Sequence, residues 1–298
     1  MIHPKMRPMG VGEILDRSFQ ALRSHFGTLV GTALIGFSPL LVFYMVAGVP
    51  YGAVPEDALL AGLGLTLLVI GVLMLVGMAA VWAGLTHQVD QAAKGRPVTI
   101  VDGLKTGLRA LFRLFGAGIM AYLALLALIL PVGLIAGFVA AMGGLTGSGP
   151  VVVTLTVLAI AVPGVIAMVV WSALAFLILP ALVIERRGPI KALRRANELA
   201  RGGRLRVCAT ALLAWLVVIL PTLGIPFILG AGAVMWDPQA AGTMSGIQLY
   251  AYQGLTFGVS ALTTPFLAAA MVYTYYDRRV RREGYDVELA SESMPVTA

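Results

Sequence analysis

The chain has 298 residues, 59% hydrophobic and only 12% charged, with 21 Lys and Arg against 14 Asp and Glu, and its mean hydropathy is +0.92. Water-soluble domains carry about 25% charged residues, so the composition excludes one, and a single cysteine, Cys208, excludes a disulfide scaffold. What remains is an all-α, polytopic membrane protein, read as one membrane domain over residues 1–298.

The chain opens without the short apolar run and small-residue cleavage site of a secretory leader, so no cleaved signal peptide is expected. Val11, Ile14, Leu15, Phe19, Leu22 and Phe26 then recur at spacings of three and four, with Glu13, Asp16, Arg17, Gln20 and Arg23 between them. That period predicts an amphipathic helix lying in the membrane interface. Stretches free of Asp, Glu, Lys and Arg follow, and a charge at the bilayer centre costs roughly 2.5 to 3.5 kcal/mol. About 20 residues cross a bilayer, which predicts spans at 27–48 and 59–88. A second amphipathic helix is expected at 100–113, where Leu104, Leu108, Leu111 and Phe112 oppose Lys105, Arg109 and Arg113. The long uncharged stretch after it divides at the glycine-rich turn 143–150 into spans 114–142 and 151–184. A third, more basic helix near 190–202 precedes spans 206–234 and 246–275, and a tail runs from 285 to 298.

Six spans put both termini on one side. Every Lys and Arg then falls on that side: four before the first span, five between the second and third, eight between the fourth and fifth, and four after the sixth. The other side holds only Glu56, Asp57 and Asp237, giving formal charges of +10 and −3. The positive-inside rule makes the termini cytoplasmic, in a bacterial-type inner membrane. The pI near 9.8 thus reflects juxtamembrane bases that set topology and attract anionic lipid, and nucleic acid is not an expected partner.

The chain also matches itself at a period of 89 residues: Leu15, Leu104 and Leu193 stand in corresponding places. Pro39, Pro131 and Pro221 recur in the odd spans, and Val81-Trp82, Val170-Trp171 and Ser260-Ala261 in the even ones. Three tandem hairpins are predicted, at about 10–95, 99–188 and 189–284, each preceded by a cytoplasmic amphipathic helix and related by a pseudo-threefold axis. Three aligned prolines would bend three helices at one depth, as a gate or simply for packing.

Little chemistry is legible. No charge lies deep in a span, which argues against a proton relay or ion-coupled pump. His3, His25 and His87 are scattered and Cys208 stands alone, so no metal or cofactor is expected. No nucleophile motif or phosphate loop occurs, and the chain is read as no enzyme. Glu185 and Asp277, each beside arginines, read as juxtamembrane ion pairs, and His87, Gln88 and Asp90 as a polar cap on the second span. Arg186, Arg187, Arg194 and Arg195 form the candidate basic cytoplasmic face.

The most distinctive string is 273–289, an aromatic anchor and basic helix end with Tyr276, Asp277, Arg279, Glu283, Gly284 and Asp286, and Gly284 is the expected helix stop. Together with Arg7-Pro8-Met9-Gly10-Val11-Gly12-Glu13 and with Ala192-Leu193-Arg194-Arg195-Ala196-Asn197-Glu198, it resembles a bacterial and archaeal six-span family similar to the membrane domain of glycerophosphoryl diester phosphodiesterases. The resemblance runs over nearly the whole chain. It implies the non-catalytic membrane part of such proteins, and the hydrolase's His and Glu metal-binding motifs are not in this sequence. The expected function is a non-enzymatic membrane module that binds a cytoplasmic partner or anionic lipid through its basic face. The alternative is a transporter or flippase-like conduit for a neutral or amphipathic solute.

Overall fold

The computed structural model describes residues 7–47, 56–146, 154, 164, 171, 174–228 and 246–285. Every regular element among them is an α-helix: α1 (Val11–Ser24), α2 (Phe26–Ala47), α3 (Glu56–Ala93), α4 (Ile100–Thr146), α5 (Leu174–Ile184), α6 (Pro189–Ala200), α7 (Arg204–Ile228) and α8 (Gly246–Glu283). Four stretches are long and apolar enough to cross a bilayer, namely Leu68–Ala93, Ile100–Ala127, Arg204–Ile225 and Tyr250–Glu283. A fifth is added if α1 and α2, bent by 86° at His25, count as one span. Phe112, Leu134, Phe138, Leu205, Leu220 and Ile228 are all exposed, an apolar surface far larger than a soluble monomer tolerates.

Among the described residues the count is therefore four or five where the sequence pattern leads to six. Residues 151–173 of the expected fourth span lie outside the described residues apart from 154, 164 and 171, and its end is α5. The three predicted units also differ in build. In the first, α1 meets α2 at a near right angle. In the third, α6 ends at residues 201–203, where Gly202 takes the left-handed conformation with φ of +72°. In the second, the segment 100–113 is no separate interfacial helix but the first turns of the unbroken α4. The reason is local: Arg113-Leu114-Phe115 contains no glycine, proline or capping residue to end the ladder.

α8 is the central post. It packs against α1, α2, α3, α6 and α7, and residues 264–272 of it are all buried. Ala261, Phe266, Leu267, Ala268, Ala269, Ala270 and Val272 face the core together with Leu29, Val81, Leu85, Phe176 and Leu182. The neighbouring crossings use small residues, as apolar helices in lipid do to bring backbones together. A Cβ on Gly77 of α3 would lie 2.2 Å from the Gly36 carbonyl oxygen of α2, and one on Gly107 of α4 would lie 2.4 Å from Ala80 Cα of α3.

At about 1.5 Å per residue, the 38 residues of α3 and of α8 exceed the roughly 30 Å hydrocarbon core. Both helices thus carry a polar end beyond their apolar stretch, and those two ends meet.

Candidate functional site

The last three turns of α8 gather charged and polar groups from the segment before α1, the end of α3, the junction after α5 and the end of α6. Tyr276 donates its hydroxyl proton to Asp90 near the end of α3, and Lys94 one turn on pairs with the same carboxylate at 2.7 Å. Tyr275 donates to Glu185, just beyond α5, and Glu185 also holds Arg187 and, at 2.9 Å, Arg195 of α6. Arg195 forms a two-pronged pair with Glu283 of α8, its Nη2 lying 2.7 Å from Oε2. Burial opposes the charge on Arg195, but hydrogen bonds and attraction from Glu283 and Glu185 outweigh it and hold the guanidinium above arginine's ordinary pKa.

Asp277 is fully buried. It accepts a hydrogen bond from the backbone N–H of Met9 at 2.8 Å and another from Arg281 at 2.8 Å, while Arg281 donates to the Met9 carbonyl at 3.0 Å. The segment before α1 is thereby fixed to α8. Arg278 donates to the carbonyls of Leu199 and Arg201 at 2.8 and 2.9 Å, and Arg282 to that of Arg201 at 2.8 Å. These cations satisfy the carbonyl end of α6, where the helix dipole is negative. Gly203 leaves room for Arg278: a Cβ there would meet Arg278 Nη1 at 2.1 Å. Gly284, with φ of +64°, ends α8 and turns Tyr285 back to stack on Tyr276 with ring centres 5.8 Å apart, beneath the Arg279 guanidinium at 3.8 Å.

Of the residues singled out in the sequence, Tyr276, Asp277, Arg279, Glu283 and Gly284 all belong to this clamp, and Asp286 lies outside the described residues. The ion pairs expected of Glu185 and Asp277 are present. In the polar cap, Gln88 is buried and donates to Thr32 Oγ1 at 2.7 Å and to the Thr99 carbonyl at 2.8 Å. The four arginines of the basic face divide: Arg186, Arg187 and Arg194 are exposed, whereas Arg195 is turned inward to the two glutamates. Sequence reading missed Tyr275 and Arg278 as anchors and Asp90 as the acceptor for Tyr276. The only available signal was an isolated carboxylate at the end of a long apolar run.

Continuous helices pass through all three aligned prolines. Pro39 is half-buried where α2 crosses α3 near Gly77, and Pro131 and Pro221 are exposed. Among the described residues no three His, Cys, Asp or Glu side chains stand close enough to hold a metal ion. Comparison with protein-family models, curated proteins and solved structures gives no match.

Proposed function

We propose that the chain is a non-enzymatic membrane module of the six-span family described above, with three hairpin units and both termini in the cytoplasm of a bacterial-type cell. In this reading its basic face binds anionic lipid or a cytoplasmic partner. The observation that supports it is the convergence of the charged segments on one end of α8, with Arg186, Arg187 and Arg194 left exposed at the corner between α5 and α6. Arg195 is excluded from the binding face because it is turned inward between Glu185 and Glu283, whereas Arg187, although paired with Glu185, keeps its side chain exposed.

Each base near an anionic surface contributes about 1 kcal/mol at low salt, so loss of three should weaken binding roughly a hundredfold. The triple variant Arg186→Gln, Arg187→Gln, Arg194→Gln is therefore expected to lose most of its retention of anionic lipid, or of a co-purifying protein, with the loss shrinking as salt rises. Unchanged retention at low salt would overturn the reading. Orientation has its own test. A cysteine at position 194, in a Cys208→Ser background, should react with a membrane-impermeant maleimide only in inverted vesicles.

The conduit reading rests on the repeat and the aligned prolines, and the exposed positions of Pro131 and Pro221 add no support to it. Solute flux into liposomes that ceased when Pro39, Pro131 and Pro221 were replaced by alanine together would reverse the preference.

A further inference from the structure

A cleft of about 450 Å³ opens beside the elbow between α1 and α2. It is lined by Arg17, Gln20, Ser24 and His25 around the elbow, by Tyr273 and Tyr276 of α8, and by Ala92 at the end of α3. We infer that this cleft binds the phosphate of an anionic phospholipid headgroup, with Arg17 as the charged contact.

Charge, polarity and position all bear on this assignment. Glu13 is shared between Arg7 at 2.9 Å and Arg17 at 3.1 Å, so two guanidiniums face one carboxylate and a positive charge is left over. Arg17 keeps donors beyond the single one engaged by Glu13, in the fork that suits phosphate oxygens. The Tyr273 hydroxyl makes no hydrogen bond among the described residues, and His25 shares Nδ1 with Ser24 Oγ at 2.9 Å, so further polar groups stand ready around an incoming anion. The elbow turns by 86°, the geometry of a helix in the headgroup plane meeting a span. Phe19 and Phe26 flank it half exposed, as apolar side chains of an interfacial helix do where they enter the acyl boundary. α1 and α3 both end beside the cleft, and the negative ends of their dipoles disfavour an anion. The surplus positive charge thus comes from the arginine, and removing it should be decisive.

This inference rests on the anionic-lipid reading above, and one set of measurements separates them. The whole protein in mild detergent is titrated with phosphatidylglycerol, with phosphatidylcholine and with inorganic phosphate, and bound lipid is counted by native mass spectrometry. Wild type should hold phosphatidylglycerol in preference to phosphatidylcholine. Arg17→Gln should lower the affinity of one bound phosphatidylglycerol by roughly tenfold or more, as loss of a charge-assisted contact does, while the Arg186, Arg187 and Arg194 triple variant loses the further lipids held by the basic face and keeps that one. If Arg17→Gln does not elute as a folded monodisperse species, Tyr273→Phe is read in its place, with a smaller loss expected. Full affinity in both Arg17→Gln and Tyr273→Phe, with loss in the triple variant, would overturn the cleft while leaving the basic-face reading intact. No preference in wild type would overturn the lipid site outright. Displacement of phosphatidylglycerol by millimolar inorganic phosphate would reassign the cleft to a soluble anion and overturn the lipid source.

Discussion

Arg195→Ala should be among the most damaging single substitutions at the charged end of this protein. It leaves Glu185 and Glu283 facing the space of the lost guanidinium, each reduced to one cation, Arg187 for the first and Arg279 for the second, with the side chain of Glu185 only 12% exposed. Removing one partner of a buried ionic network costs about 3 to 5 kcal/mol, and the partial exposure of Glu283 puts the expected loss near the lower end. For a domain of this size that corresponds to a fall of roughly 5 to 10 °C in Tm, read by thermal unfolding in detergent. The diagnostic comparison is a triple variant, Glu185→Gln, Arg195→Leu, Glu283→Gln. It removes both carboxylates together with the arginine between them, leaving only Arg187 and Arg279 at the margin, and should be less destabilising than Arg195→Ala alone, because neither glutamate then carries a charge that has lost its central partner. A triple variant as unstable as the sum of its parts would show that the network is not what holds this end together.

Gly107→Ala should be comparably harmful for a different reason. The new methyl would meet Ala80 Cα at 2.4 Å and its carbonyl oxygen at 2.5 Å, and since both are backbone atoms no rotamer change can relieve the overlap. α3 and α4 must separate, at a cost of about 1 to 3 kcal/mol or more. Gly118→Ala on the same helix is the control. Nothing lies within 4 Å of its Cβ position, so the substitution should be neutral or stabilise by up to about 1 kcal/mol through helix propensity. Equal melting temperatures for the two variants would contradict the close crossing.

The sequence made the apolar helices legible because charges are excluded from hydrocarbon. It also revealed some of the breaks, since Gly202 and Gly284 adopt conformations that other residues resist. It did not reveal that α4 runs through the junction at 113–114, because an amphipathic segment has the same period whether it lies in the interface or continues into a span. The pairing of Asp90 with Tyr276, 186 residues apart, was equally hidden. Periodicity says which face of a helix is apolar, not which distant hydroxyl will meet a carboxylate at its end. Arg195 shows the same limit. Four arginines within ten positions read alike as a basic face, and only the fold sets one of them between two glutamates. The elbow cleft joins residues of α1 to Tyr273 of α8, and no local spacing could announce it.

Because α8 follows every helix it anchors, order of translation matters. At about 5 to 20 residues per second, Asp90 waits roughly 10 to 40 s for Tyr276 to leave the ribosome, and the Met9 amide waits longer for Asp277. Earlier helices enter the bilayer with their polar ends still unfastened. A nascent chain interrupted before residue 275 would lack every α8 partner of the Met9 amide, Asp90 and Glu185.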